Sequence, residues 1–367
     1  MVTMSEASGA ATRGIILQLS PNDHPPFSDI CAVYKAAGES LGCRVVTFFF
    51  SPPVHDDSVD WAEYLNVDKL ADTKLLVQAL NDKVRILDVS VPMIAICHRY
   101  RTYRALRSSS IEAGRVVVLA HEFGFFKRFR RRVERKIFSR DFLFAGVSPA
   151  VQAELSQTVE RPLCLSNGIN QGELAAQRQP RDVALAELNL ASGPFTIGVL
   201  GRLVPLKRPE LAVRTIAELA RRIPDVRLLI IGDGELRQSL EAMSRDLPIT
   251  LAGFVPDAKR LLSALDALLI VSNEREAFGM VALEAMASGV PVVAGQLPGP
   301  ESVLGSVGFY YHEATPAAIA DSLEEVHGLQ RTSELDERTR RGIERTSREF
   351  SVAAVARRLD DIFFQMA

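Results

Sequence analysis

Short apolar runs of strand length recur through the first half of the chain, at residues 15–19, 44–50, 84–87, 93–96, 116–119 and 143–145, with helical stretches between them. The runs are near-continuous rather than alternating, which is how strands buried on both faces of a parallel sheet read. A doubly wound α/β domain is therefore expected over residues 13–175. After Asn167-Gly168-Ile169-Asn170 a polar stretch rich in Gln, Arg and Ala extends to Gly193-Pro194, so residues 176–193 read as an interdomain linker. The pattern then restarts. Strands are expected at 195–200, 226–231, 249–251, 267–271 and 290–294, with helices at 208–221 and 236–245, giving a second domain of the same kind over 194–348. The final segment, 349–367, is amphipathic from Val352 to Phe364 and is expected to pack back toward the first domain as a helix. A length of 367 residues agrees, since one core rarely grows that large.

Composition narrows the class without changing this picture. A chain that is 47% hydrophobic and 24% charged is of the soluble globular kind, and no uninterrupted apolar run approaches the ~18 residues of a membrane span. Four scattered cysteines, Cys31, Cys43, Cys97 and Cys164, have neither zinc-type spacing nor the density of a disulfide framework, so a reducing cytoplasm is expected. Residues 1–12 are small and polar rather than basic then apolar, and read as a disordered leader instead of a signal peptide.

Charge matters locally. The net charge is −2, yet residues 99–140 hold thirteen Lys or Arg against three Glu, a balance of 13 − 3 = +10. Within them Phe126, Phe129, Val133 and Ile137 recur at helical spacing among bases, so the segment from Phe125 to Arg140 is expected to form a basic amphipathic helix. Such a helix suits an anionic membrane surface or a phosphorylated acceptor; nucleic acid is not expected, because no nucleic-acid module signature accompanies the charge. The alternative is a core helix whose outer face is merely basic.

The most pointed chemistry lies in residues 274–295, EREAFGMVALEAMASGVPVVAG, which read as loop, helix and strand after the strand at 267–271. Glu276 would stand in the crevice at the carboxyl end of a parallel strand, where open α/β sheets bind ligands, and Glu284 about two turns into the helix. Between them the free N–H groups of Phe278, Gly279 and Met280, with the helix dipole, favour an anion such as phosphate by ~0.3–1 kcal/mol. A carboxylate further along can accept two hydrogen bonds from a vicinal diol such as that of ribose. The competing reading makes Glu276 a capping acid and Glu284 a solvated one.

Five motifs in order carry a family resemblance: GVLGRLVPLKRPELAV (198–213), LLIIGDGELR (228–237), LAGFVP (251–256), LDALLIVS (265–272) and the 274–295 stretch. They resemble the C-terminal domain of the GT-B-fold retaining glycosyltransferases, family 4 (glycosyltransferase group 1). VVVLAHEFG (116–124), FAGVSPAVQAEL (144–155) and LSNGIN (165–170) are looser landmarks of the same family. The resemblance implies an α/β architecture of two Rossmann-like doubly wound parallel-sheet domains facing across a cleft, the first binding acceptor and the second a nucleotide sugar. It implies Glu276 near the donor-sugar hydroxyls, Glu284 on the ribose, Arg202 and Lys207 on the diphosphate, and Phe254 and Val255 beside the base. His121 would face the donor sugar across the cleft.

The implied reaction is transfer of a sugar from a nucleoside diphosphate sugar, UDP favoured over GDP, to a hydroxyl of a glycan or lipid-linked acceptor with retention, in cell-surface polysaccharide or lipopolysaccharide assembly. No cofactor is implied beyond the donor, and no divalent metal: there is no Asp-x-Asp pair, and Gly232-Asp233-Gly234-Glu235 reads as a strand-to-helix turn. A cytoplasmic protein, peripheral at the inner membrane face through residues 125–140, is the matching location. Two departures stand out: residues 20–27, SPNDHPPF, replace the family's Gly-Gly loop, and Arg208 replaces a small residue after Lys207. The competing functions are a nucleoside diphosphate sugar epimerase and a degenerate, non-catalytic scaffold; a pyridoxal-phosphate glycan phosphorylase would need a Schiff-base lysine and a longer chain.

Overall fold

The computed structural model describes residues 12–53, 59–67, 72–85, 87, 91–137 and 142–365. The expected leader at 1–12 lies outside them except for Thr12, as do residues 138–140 of the expected basic helix.

The first domain runs β1 (Ile15–Ser20), α1 (Phe27–Ser40), β2 (Arg44–Phe49), β3 (Glu63–Tyr64), α2 (Thr73–Val84), β4 (Met93–His98), α3 (Tyr100–Arg107), β5 (Arg115–Ala120), α4 (Phe129–Ile137), β6 (Phe142–Gly146), α5 (Pro149–Ser156) and β7 (Leu163–Cys164). Helices α6 (Gln171–Gln177) and α7 (Arg181–Glu187) follow. The second domain runs β8 (Phe195–Leu200), α8 (Pro209–Leu219), β9 (Val226–Ile231), α9 (Arg237–Met243), β10 (Ile249–Gly253), β11 (Ala267–Ile270), α10 (Met280–Ala287), β12 (Val292–Gly295), α11 (Pro298–Leu304), β13 (Phe309–Tyr311) and α12 (Pro316–Gly328). Helices α13 (Ser333–Glu349) and α14 (Val352–Asp360) end the described chain.

Every pairing among these strands is parallel, with order β3-β2-β1-β4-β5-β6-β7 in one sheet and β10-β9-β8-β11-β12-β13 in the other. Both are doubly wound sheets whose order reverses once, between β1 and β4 and between β8 and β11, and the crevice beyond the carboxyl ends at such a reversal is where ligands sit. The near-continuous apolar runs are explained directly: all six residues of β1 and of β4 are buried, because helices cover both faces. Gln18 and His98 in these strands and Thr47 in β2 are polar exceptions within that interior.

The expectation of a strand at 84–87 is corrected. Asp72 caps α2 by accepting from the N–H groups of Lys74 and Leu75, and Leu76, Leu80 and Val84 are buried at intervals of four, so the helix runs through Val84. A four-residue apolar run carries no period of its own, and here it was the end of a helical stripe. β3, β7 and β13, of two or three residues each, had no sequence signal. Residues 176–193, read as linker, hold α7, which is fastened to the second domain: Gln179 N–H donates to Arg260 O at 3.0 Å, and Arg181 pairs with Asp266 at 2.8 Å.

Ser351 starts α14 by accepting from Ala354 N–H, and the helix crosses back onto α1. Val355, Leu359, Ile362 and Phe363 join Ile16, Ile30, Tyr34 and Ile96 in one apolar cluster, so the last helix completes the core of the first domain. Gly168 marks the tightest point of this crossing: a Cβ there would lie 2.6 Å from Val355 Cγ2 and 2.7 Å from Phe350 O. Leu359→Ala should therefore cost about 2–5 kcal/mol, lost from the first domain rather than the second. Urea unfolding followed by hydrogen exchange resolved to each sheet checks this; equal loss of protection in both sheets would refute it.

Candidate active site

The loop after β8 begins the site. Its course is set by backbone packing: a Cβ on Gly232 would sit 1.9 Å from Gly201 O, and one on Gly234 2.5 Å from Leu203 O, so only glycine lets the 232–234 turn lie against it. Leu203 N–H donates to Asp233 O at 2.9 Å, and Leu236 N–H to Leu203 O at 3.0 Å. The Asp233 carboxylate is spent on its own turn, accepting from Gly234 N–H at 2.7 Å and pairing with Arg237. Arg202 is exposed on this loop, and Lys207 ends a 3-10 turn, Pro205–Lys207.

The loop after β11 docks onto it. Asn273 N–H donates to Leu206 O at 3.0 Å, while the Asn273 side chain and carbonyl accept from the N–H groups of Arg275 and Glu276. This asparagine-led turn delivers Glu276 to Lys207, and their side chains form a mostly buried ion pair. The start of α11 packs beneath: a Cβ on Gly299 would lie 2.0 Å from Glu276 O. Sequence reasoning passed over Gly299, although a Pro-Gly-Pro triplet directly after a strand is a signal of close backbone approach.

Beyond Glu276 the chain enters α10 through Gly279, at φ +95°, with no side chain capping the helix. The first-turn N–H groups are thus uncapped, and they carry the positive end of the helix dipole. Phe278 is buried edge-on against Phe350, at 5.9 Å between ring centroids, so its side chain belongs to the core and only its backbone is available to a ligand. Phe254, 57% exposed, and half-buried Val255 follow β10, and Gly253 O accepts from Gly232 N–H, which places them beside the β8 loop.

Glu284 lies in the second turn of α10 and faces the other domain. Lys259, from the second domain, reaches Asp29 near the start of α1 at 2.6 Å, and these two and Glu284 line one cavity of about 30 Å³, room for one or two waters. Burial, then the Asp29 charge, push the Glu284 carboxyl up to about 8, with Lys259 offsetting part of the rise.

Across the cleft, His121 follows β5. Its ring meets Phe27 edge-on at 5.2 Å, and Arg99 lies over Phe27 at 4.6 Å. The 121–124 loop abuts the Glu276 loop, since a Cβ on Gly124 would lie 3.7 Å from the Arg275 guanidinium. His121 Nε2 also lies 3.0 Å from Nδ1 of His98, which is expected with the 98–104 stretch to meet a phosphorylated acceptor but is fully buried.

The basic segment differs from its expected form. α4 starts at Phe129, so Phe126 lies before it, buried, and does not share a stripe with the helix. Phe129 is 80% exposed, with Lys127, Arg128 and Arg130 exposed around it. Other bases turn inward: Arg107 reaches Glu134, with which exposed Arg130 also pairs, and Arg131 lies 4.4 Å from the Tyr100 ring centroid and donates to Phe125 O. Tertiary contact with the Tyr100 and Phe125 cluster, not helical period, decides which side chains of this segment are inside.

Residues 194–328 match the family of glycosyl transferases group 1. Over 157 residues the chain is 37% identical to the D-inositol 3-phosphate glycosyltransferase of Nocardia farcinica, an alignment covering 39% of this chain and 35% of that protein. The chain thus spans about a third of the length of that curated relative. Among solved structures, a glycosyltransferase from Rickettsia africae superposes with a TM-score of 0.77 at 14% identity, covering 97% of this chain and 99% of its own. Anabaena HepE in complex with UDP-glucose superposes with a TM-score of 0.74 at 18% identity, covering 96% and 100%.

The Glu284 environment yields a pH dependence. Its carboxyl holds a proton up to about pH 8 when folded, against about 4.3 in an unfolded chain. Between those values the folded state binds more protons, so this group's contribution to stability falls as pH rises through the window. Glu284→Gln should therefore lose less melting temperature than the parent between pH 6 and 8.5, measured by scanning calorimetry; parallel curves would contradict the site as described.

Proposed function

The second domain is that of the group 1 glycosyl transferases and the chain as a whole has the GT-B fold, and from that premise we propose that it moves a sugar from a nucleoside diphosphate sugar to a hydroxyl of a glycan or lipid-linked acceptor, retaining the anomeric configuration. The observation that carries this reading is the meeting of Lys207, Glu276 and the uncapped start of α10 at the strand-order reversal of the second sheet.

The chemistry follows from an exchange of partners. A diphosphate arriving at the α10 N-terminus competes with Glu276 for the Lys207 ammonium, and Arg202 adds a second cation. Both cations then stabilise the negative charge that grows on the departing diphosphate. Glu276, released from Lys207, is free to accept hydrogen bonds from donor-sugar hydroxyls, and the Glu284 carboxyl, protonated at neutral pH, can donate one hydrogen bond to the ribose diol and accept another. A ribose at Glu284 would lie beside the Asp29–Lys259 contact, which lines the same cavity. Backbone beside Phe254 and Val255 would meet the base. UDP is the favoured nucleotide, supported by the UDP-glucose in the HepE complex.

The acceptor side is read from the first domain. An 80% exposed phenylalanine flanked by exposed Lys127, Arg128 and Arg130 fits an anionic membrane interface, where the ring enters the headgroup layer and the bases meet phosphate. No described helix is long and apolar enough to cross a membrane. A peripheral enzyme at the cytoplasmic face, acting on a lipid-linked glycan of the cell surface, is the reading that unites both halves.

Donor assignment is checked by thermal shift with UDP, GDP and ADP, and by turnover of the matching sugars. UDP should raise the melting temperature most, and Glu284→Ala should abolish that rise. Lys207→Ala should lower kcat by about 10²- to 10³-fold; unchanged turnover, or epimerised donor without acceptor transfer, would defeat the proposal. For the membrane, flotation with vesicles rich in phosphatidylglycerol should recover the parent chain and not a Phe129→Ala, Lys127→Glu, Arg128→Glu variant; equal flotation of both removes this surface from consideration.

A further inference from the structure

A buried polar relay stands behind His121. Gln18 in β1 and His98 at the end of β4 are both fully enclosed, flanking the strand-order reversal of the first sheet. Gln18 Nε2 lies 3.0 Å from Cys31 O and 2.9 Å from Thr47 Oγ1. A backbone carbonyl can only accept, so the amide orientation is settled: Nε2 faces Cys31 and Oε1 faces His98 Nε2, at 3.3 Å. An amide oxygen also only accepts, so His98 carries its proton on Nε2.

Burial drives His98 down to about 3, and burial, then His98 and Arg99, hold His121 well below the usual histidine range. Both rings are neutral at pH 7. A neutral imidazole protonated on Nε2 offers Nδ1 as an acceptor, and His98 Nδ1 lies 3.0 Å from His121 Nε2. The two rings are inclined by only 28°, as an edge-to-edge hydrogen bond requires. His121 must then donate from Nε2, which leaves its own Nδ1 with an unshared pair.

We propose that Gln18 and His98 are positioning residues that set the tautomer and orientation of His121, so that His121 Nδ1 is presented as an acceptor for a hydroxyl of the donor sugar. The hydroxyl part rests on the glycosyltransferase reading; the direction of the relay does not. Phe27 and Tyr34 pack edge-on against His121 and His98, at 5.2 and 5.3 Å between ring centroids. The arrangement gives the first domain an uncharged acceptor in the cleft, opposite the cations of the second.

The test is nitrogen-resolved NMR of the full chain labelled with 15N-histidine. In the parent, His98 and His121 should both carry the proton on Nε2, and the His121 Nε2 proton should exchange slowly with water. A proton on His121 Nδ1, or on His98 Nδ1, would reverse the relay and overturn the proposal. His98→Leu should strip that protection and lower kcat by about ten- to a hundredfold with donor KM little changed. His98→Asn, whose Oδ1 stands where Nδ1 stood, should restore both, with melting curves as the control for folding. Failure of His98→Asn to restore either quantity would reduce His98 to a packing residue and sink the proposal. Should His98→Leu not fold, Gln18→Met reads the same two quantities with the same meaning. A chain with no transfer activity would still report its proton positions, so failure of the functional reading and failure of the relay are told apart.

Discussion

Strands buried on both faces leave a parallel sheet only its carboxyl edge at which to show chemistry to solvent. Each sheet of this chain reverses its order once, and the two reversals face each other across the domain boundary. His121 and Phe27 stand on one side, and Arg202, Lys207 and Glu276 on the other. The loops that carry them are packed backbone against backbone at Gly232 and Gly299, where a Cβ would lie at 2.0 Å or less from a carbonyl oxygen. Charged side chains are thereby held on loops that have little room to shift, which is what a site built for one geometry needs.

The cleft does not wait with bare charges. Lys207 is paired with Glu276 within one domain, and Lys259 with Asp29 between domains, beside Glu284.

The interior shows the opposite economy. Gln18, Thr47 and His98 are buried polar groups in largely apolar strands, and they are tolerated because they satisfy one another. Their chain of donors and acceptors runs from the Cys31 carbonyl to the ring of His121. The basic segment of the first domain is divided by contact: Arg107 and Arg131 turn in toward Glu134 and the Tyr100 ring, while Lys127, Arg128, Phe129 and Arg130 are exposed.

Much of this was legible in order of residues alone. Near-continuous apolar runs identified the long strands, because burial on both faces removes the alternation that a half-exposed strand would show. Glu276, Glu284 and the start of α10 were legible because strand, loop and helix follow one another locally, and local succession is written in sequence. What sequence could not carry is everything that depends on separate segments meeting. The short strands β3, β7 and β13 exist because a neighbour offers them an edge, and Val84 ends a helix because α2 had already begun at its Asp72 cap. The ion pair of Lys207 with Glu276, the contact of Lys259 with Asp29, and the approach of His98 to His121 join residues 69, 230 and 23 positions apart. Hydrogen bonds and ion pairs act over a few ångströms, so only the folded chain decides which distant side chains come within their reach.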